Sequence, residues 1–178
     1  AFSGYVHAVA TKDQLASTTV HAFLVSWVAY FGLPDWLLSD RGVQFESELM
    51  QLICQQFGIR KSRTTAYHPA GNGRAEIAVR NIKEKIETHC KQTGASWDSA
   101  LPFCLLTLRS GVNTATGFSP AELFLGRQMR VATDILLDLN DSPVARDQLD
   151  YLRWVQSTVR QSREWAARHL TENKQKRK

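Results

Sequence analysis

The sequence predicts an α/β fold in which helices pack against a mixed β-sheet. Short β-rich segments alternate along the chain with helices whose apolar residues recur every three or four positions. Glycine and proline separate these segments, as expected at element boundaries. The chain has 178 residues, of which 43% are hydrophobic, so it is long enough for a buried core. We therefore expect a layered domain whose chemistry lies at strand ends and in the adjoining loops.

Each predicted element in the first ninety residues rests on a periodicity and on a boundary residue. Alternating β-rich residues indicate strands, and glycine ends several of the helices. The predicted elements are a strand over residues 4–10, a helix capped by Ser17 or Thr18 and ending at Gly32, a short buried strand over residues 36–38, a helix over residues 49–57, a strand over residues 59–65 and a long helix from about residue 72 to 90, with Ile77, Ile82 and Ile86 as packing positions.

The second half of the chain is predicted to be helical. A helix over residues 97–108 is followed by the sequence SPAE at residues 119–122, which combines an N-cap serine, a first-turn proline and a glutamate three residues on. That short helix is expected to end at Gly126. The predicted organisation is a core of residues 1–130, a linker of residues 131–145 and a basic helical tail of residues 146–178.

The net charge of +5 is unevenly distributed. Residues 1–143 carry 13 basic and 13 acidic groups, whereas residues 144–178 carry nine basic and four acidic groups. Within the neutral part, residues 60–91 hold eight basic and three acidic groups. A cationic window of this kind suits a polyanionic partner such as nucleic acid.

Other residue patterns disfavour several classes of protein. The longest apolar stretch, residues 20–31, is interrupted and too short to span a bilayer, so no membrane partner is expected. The first residues show no basic leader of the kind that a secretory signal carries. The three cysteines are scattered and lack metal-ligand spacing, which favours free thiols in a reducing compartment.

Two carboxylates, Asp40 and Glu76, stand with 35 residues between them in peptides suited to phosphate. Asp40 lies in LSDRGVQF (residues 38–45) after a predicted strand, and Glu76 ends YHPAGNGRAE (residues 67–76) at a helix start. Oxygen ligands suit Mg²⁺ or Mn²⁺, and two such ions clamp the oxygens of a phosphodiester exchange. Taken alone, Asp40 equally fits a turn and Glu76 a solvated helix residue, so their joint occurrence carries the metal-site hypothesis.

These two peptides resemble the second and third acidic motifs of the integrase catalytic core of retroviruses and gypsy-type LTR retrotransposons. Further matching segments are residues 3–5, residues 31–34 and ATGFSPAEL at residues 115–123. The resemblance covers roughly residues 1–130. It implies an RNase H-like fold, a Mg²⁺ (or Mn²⁺) cofactor, and DNA integration through 3′-end processing and strand transfer by a transposable element.

The resemblance also implies site residues and partners. Asp40 and Glu76 would be two of three catalytic, metal-binding carboxylates, and Arg80 and Lys83 would share a helix face with Glu76, although exposed pairs with neighbouring glutamates would also explain these cations. The implied partners are element-end and target DNA and further copies of the chain in the nucleus after cytoplasmic transit, with no small-molecule substrate. The implied DNA-binding residues are Tyr67, His68, Asn72, Gly73, Arg74, Arg80 and Lys83.

The chain also departs from the family pattern. The first catalytic aspartate of the family lies on a strand before the one that starts at Gly4, and Asp13 follows that second strand and is a poor substitute. Ala70, Val79 and Asn113 replace residues common in the family. We therefore expect an N-terminally incomplete core that lacks its first strand and does not catalyse as this chain.

Two further functions stay open beside the integrase. The first alternative is a domesticated or degenerate nucleic-acid-binding remnant without catalysis, which the incomplete metal site favours. The second is an RNase H-like nuclease acting on RNA hybrids, which the loop at residues 68–73 and the block at residues 119–123 disfavour.

Overall fold

A computed structural model of the chain describes residues 2–64, 73–132 and 148–175. It divides into two compact units, one of residues 7–101 and one that combines residues 1–6 with residues 102–178. The elements are α1 (Ala16–Ala22), the π-helix π1 (Phe23–Val28), α2 (Ala29–Phe31), β1 (Trp36–Ser39), α3 (Glu48–Gln56), β2 (Arg60–Arg63), α4 (Gly73–Thr93), α5 (Trp97–Ser110), α6 (Pro120–Leu125) and α7 (Gln148–Gln175).

The first helical segment starts earlier than predicted, and its middle part is a π-helix. Its N-cap residue is Leu15, not Ser17 or Thr18, and no side chain caps the helix. The backbone N–H of Leu15 donates to Asp13 Oδ1 at 3.1 Å just before it. Hydrogen bonds from the Thr18 side chain and the Leu15 backbone hold the pKa of Asp13 below its ordinary value. The segment continues through π1 and α2 and ends at Gly32, whose φ of 78° confirms the predicted stop.

The sheet in the described residues consists of two parallel strands, β1 and β2. The register places Trp36 beside Arg60. Both strands were predicted, but β1 is only half buried: Trp36 is 62% and Leu38 43% exposed, whereas Leu37 packs against the core. Side chains alternate across a strand, so one face of β1 is covered and the other is open to solvent.

Residues 4–10, predicted as a strand, form none. Gly4 has a φ of 68°, which breaks the extended run at its start. The carbonyl oxygen of Val6 accepts a hydrogen bond from Arg109 Nε at 2.8 Å instead of one from a neighbouring strand. Within the part of the chain that the structure describes, only β1 and β2 form a ladder, so this segment has no strand to pair with.

The unit of residues 7–101 has a core where α1, α3 and the sheet meet. Ser47 caps α3, since its Oγ accepts the backbone N–H of Met50 at 3.3 Å, and this cap fixes the end of the loop that leaves β1. Partly buried apolar side chains of π1, β1 and α3 pack around four buried residues. The buried residues are Val20, Met50, Cys54 and Ile59.

The other unit contains α6, whose predicted start is confirmed. Ser119 Oγ accepts the backbone N–H of Glu122 at 3.1 Å, and Glu122 Oε2 accepts that of Ser119 at 2.7 Å, which completes a capping box. The helix ends at Gly126, where φ is 75°. Two otherwise unpaired backbone donors are thus satisfied by local side chains.

The tail helix α7 packs on α6 within the same unit. Arg163 Nε donates to the carbonyl oxygen of Leu123 at 3.2 Å, and Ser162 and Ala166 are buried. The Trp165 ring meets that of Phe118 edge to face, with centroids 5.1 Å apart. The predicted helical tail is therefore part of a folded unit. Neither α7 nor any other described helix combines the length and apolarity that crossing a membrane requires.

The predicted division into core, linker and tail is not tested, since residues 133–147 lie outside the described ranges. No disulfide joins Cys54, Cys90 and Cys104, all of which the structure describes, and Cys54 and Cys104 are buried.

The capping box yields a stability prediction. Ser119→Ala is expected to lower the free energy of unfolding by about 1–2 kcal/mol, because it removes an acceptor for a helix-end N–H at a buried site. Urea denaturation would measure this change. Ser157→Ala is the matched control: its exposed hydroxyl lies inside α7 and only back-bonds to the Trp154 carbonyl, so the effect should be close to zero. Equal losses in both variants would contradict the prediction.

Candidate metal and nucleic-acid site

Asp40 lies exposed immediately after β1, in the loop that leads to α3. Its Oδ1 accepts the backbone N–H of Gly42 at 3.0 Å. A Cβ atom on Gly42 would lie 2.7 Å from Gln44 Nε2 and 3.0 Å from Asp40 Oδ1, so a side chain at this position would force these groups apart. One carboxylate oxygen of Asp40 is therefore held by the turn itself, which matches the turn interpretation of this residue.

The loop that carries Asp40 is tied to β2 by further side chains. Glu46 accepts from Lys61 Nζ at 2.7 Å and lies 3.5 Å from Arg63 Nη1, and Arg41 Nε donates to the carbonyl oxygen of Thr64 at 3.4 Å. The hydrogen bond from Lys61 holds the pKa of Glu46 below its ordinary value. The pair's stabilisation is present above the ordinary carboxyl pKa and is lost as pH falls through the lowered one.

Glu46 and Lys61 are absent from the site residues predicted from the sequence. The sequence feature that could have indicated this contact is the spacing of Lys61 and Arg63. They are two positions apart and therefore lie on one face of β2. An acidic residue six positions after Asp40 is a suitable partner for that face. Glu46 and Lys61 are fifteen positions apart, so local periodicity does not predict their pairing.

Glu76, Arg80 and Lys83 lie on α4, and all three are placed on one helix face by their spacing of four and three residues. Arg80 Nε lies 3.9 Å from Glu84 Oε1, and both side chains are two-thirds exposed. Such an exposed ion pair contributes little to stability and leaves both side chains accessible to a ligand. No ion pair of Lys83 occurs within the described ranges.

Other predicted DNA-binding residues are only partly located. Gly73 begins α4, and Arg74 lies in its first turn, although its side chain is outside the described atoms. Tyr67, His68 and Asn72 lie in residues 65–72, outside the described ranges. Their roles stay predictions.

The buried face of α4 differs from the predicted one at its first position. Ile77 is 49% exposed, so its assignment as a packing residue is wrong. Ala78 is half buried, as are Ile82 and Ile86, and these three residues follow one another at intervals of four. The packing stripe is thus continued toward the helix start by Ala78, since i, i+4 neighbours share a face.

The chemistry of Asp40 and Glu76 suits a hard divalent cation, because carboxylate oxygens are the ligands that Mg²⁺ prefers. In the residues that the structure describes, however, no three His, Cys, Asp or Glu side chains form a group that could hold a metal ion. The two carboxylates have the right donor atoms, but the described residues do not complete a metal centre.

Comparison with protein families and curated sequences identifies relatives. Residues 1–69, which include Asp40, match the family model described as the integrase core domain. The Gag-Pol polyprotein of Avian reticuloendotheliosis virus is 29% identical over 157 residues, or 88% of this chain and 14% of that protein. The Gag-Pol polyprotein of Woolly monkey sarcoma virus is 34% identical over 126 residues, or 70% of this chain and 7% of that protein. The chain therefore spans a small part of these relatives.

Solved structures show the fold. The HTLV-2 integrase catalytic core domain, determined in complex with magnesium in a trimeric form, aligns with a TM-score of 0.59 and 24% identity over 68% of this chain and 77% of that one. This likeness confirms the predicted RNase H-like class. The family match over residues 1–69, the polyprotein relatives and the shared fold together show that the chain resembles the integrase core of retroelements.

Proposed function

We propose that the chain is a core segment of a retroelement integrase that binds DNA and contributes Asp40 and Glu76 to a metal-dependent centre. The observation that carries this proposal is the face of α4 on which a carboxylate is followed by two cations at one-turn spacing. The overall activity would be 3′-end processing and strand transfer. Within the described residues no group of three ligands forms, so the metal-dependent step would need a further carboxylate beside Asp40 and Glu76.

The proposed cofactor is Mg²⁺ or Mn²⁺. The magnesium in the HTLV-2 core domain supports a divalent ion of this type. Asp40 and Glu76 are the residues that would hold it, and the bound ion would supply charge stabilisation at a phosphodiester.

The cations of α4 are proposed to contact DNA phosphates. Each phosphate that a protein neutralises contributes about 0.9 to the slope of log affinity against log salt for duplex DNA. Arg80→Ala and Lys83→Ala are each expected to lower that slope by about 1 and to weaken binding similarly for all sequences. Fluorescence anisotropy at several salt concentrations would measure this.

Lys85→Ala is the matched control for these two variants. Lys85 is also an exposed cation on α4 but lies nine residues after Glu76, on the opposite side of the helix. Its removal should leave the slope unchanged. If all three variants lower the salt-dependence slope equally, the cations of α4 attract DNA only through their total charge, and the proposed contact face is wrong.

A nucleic-acid-binding remnant without chemistry is the second candidate. The absence of a three-ligand group in the described residues favours it. DNA binding that falls with salt but does not respond to Mg²⁺ would support this candidate over the integrase.

Assembly and location complete the proposal. The trimeric form of the HTLV-2 core domain supports self-association of this chain. The basic sequence KQKRK at residues 174–178 is proposed to direct the protein to the nucleus after synthesis in the cytoplasm.

A further inference from the structure

The loop of residues 40–47, here called the Asp40 loop, is connected to its carboxylate through Gly42. The N–H of Gly42 donates to Asp40 Oδ1 at 3.0 Å. The carbonyl oxygen of the same residue accepts the N–H groups of Phe45 at 2.9 Å and Glu46 at 3.1 Å. The backbone of Glu46 is therefore linked to the Asp40 carboxylate through Gly42 alone.

The side chain of Glu46 fixes this network to β2. Its carboxylate accepts from Lys61 at 2.7 Å, and the Lys61 side chain is only 14% exposed. The exposed pairs on α4 join residues of one helix, whereas this pair joins two segments of the chain and is more shielded from water and salt. Movement of the Asp40 loop away from β2 would therefore break a shielded ion pair.

The opposite end of the loop is fixed in a similar way. Arg41 Nε donates to the Thr64 carbonyl oxygen, and the Thr64 N–H donates to the Ser39 carbonyl oxygen at 3.0 Å. Thr64 directly precedes residues 65–72, which carry the predicted DNA-binding residues Tyr67, His68 and Asn72. The same contacts thus connect the position of Asp40 to the start of that segment.

We propose that Glu46 and Lys61 are positioning residues that hold the Asp40 carboxylate in its binding orientation. This inference rests on the proposed function, because it assigns a purpose to the site at Asp40. Both carboxylate oxygens of Glu46 face cations, Lys61 and Arg63, so Glu46 acts through the loop and not as a metal ligand. Removing a residue that orients a metal ligand in this way typically changes metal affinity by about tenfold or more.

The test compares Glu46→Gln with Lys61→Met in the full chain. Mn²⁺ is titrated while the NMR signal of the Gly42 amide, which contacts Asp40, is followed for paramagnetic broadening. Positioning predicts that both variants weaken Mn²⁺ binding at this amide by about tenfold. A through-space charge effect predicts opposite changes, since removing Glu46 disfavours a cation and removing Lys61 favours one. Opposite changes would overturn the proposal.

Glu87→Gln is the matched control, because Glu87 also pairs with a lysine, Lys91, at 2.6 Å but lies on α4. It should leave the Gly42 signal unchanged, and it should lower the melting temperature less than Glu46→Gln does, because its ion pair is exposed. Lys61→Arg keeps the charge and should preserve Mn²⁺ binding.

Amide hydrogen exchange separates this inference from the proposed function. If wild-type Gly42 does not respond to Mn²⁺, the metal-binding proposal fails, but the exchange rates of Gly42, Phe45 and Glu46 still test the loop. Faster exchange of these amides in both Glu46→Gln and Lys61→Met would support the proposal that Glu46 and Lys61 hold the Asp40 loop in place. Unchanged exchange would overturn it.

Discussion

Under the proposed function, Asp40→Asn and Glu76→Gln are each expected to abolish strand transfer in the full-length integrase that carries this core. Both substitutions preserve size and remove one charged oxygen ligand. Metal-assisted charge stabilisation contributes several kcal/mol to such reactions, so the rate should fall on the order of a hundredfold or more. Single-turnover assays with labelled DNA ends would measure the loss.

Two controls show whether the loss of strand transfer reflects catalysis: DNA binding by the same variants, and removal of a different carboxylate of α4. Salt-dependent DNA binding should persist in both variants, because the cations of α4 are unchanged. Glu87→Gln removes an exposed carboxylate of the same helix that pairs with Lys91, and it should retain full strand transfer. Normal strand transfer by Asp40→Asn or Glu76→Gln would remove the assigned catalytic roles.

Gly117→Val is expected to cause the largest loss of stability. A Cβ atom at Gly117 would lie 2.5 Å from the Trp165 ring, and the φ of this residue is 73°. Overpacking costs about 1–3 kcal/mol, and a left-handed backbone costs an L-residue about 1–2 kcal/mol more. The free energy of unfolding, measured with urea, should therefore fall by at least about 3 kcal/mol, since a β-branched residue is especially strained at positive φ.

Two further variants identify the cause of this loss. Gly94 has a φ of 71°, and a Cβ atom added there would meet no other atom within 4 Å, so Gly94→Val reports the backbone cost alone. Trp165→Ala removes the ring that a side chain at position 117 would meet, and Gly117→Val should cost less in that background. Equal losses at both glycines would show that the contact with α7 contributes nothing.

The elements predicted correctly from the sequence are those that local residues determine. The capping box of Ser119 and Glu122 satisfies its donors within four residues, and Gly32 and Gly126 end their helices through their own backbone freedom. α3 was predictable because its apolar stripe and the glycine after it are both local.

The errors arise where distant groups decide the structure. The segment at residues 4–10 has strand-like residues, but a strand exists only when a neighbour completes its ladder, and the described residues offer none. The N-cap of the first helix is Leu15, before the predicted caps Ser17 and Thr18, and no side chain caps it. Ile77 fits a helical stripe, but its side chain is 49% exposed and the neighbouring Ala78 is half buried instead.

In the candidate site too, features set by neighbouring residues were predictable, whereas contacts between distant residues were not. Asp40 was identifiable because it follows a predicted strand within a recognisable peptide, and its turn geometry depends on Gly42 two residues away. The Glu46–Lys61 contact joins residues fifteen positions apart, which local periodicity does not predict. Sequence patterns therefore indicate the candidate residues better than the long-range contacts around them.

One of the two units is continuous in sequence and the other is not, which affects the order in which they can fold during synthesis. Residues 7–101 form one continuous stretch and can acquire their contacts as soon as they emerge. The other unit joins residues 1–6 to residues 102–178, and its Arg109–Val6 hydrogen bond spans 103 positions. Residues 1–6 therefore complete these contacts only after residues 102–178 are available, at the entropic cost of closing a long loop. Folding of this segment is expected to begin within residues 7–101, before residues 1–6 join the unit of residues 102–178.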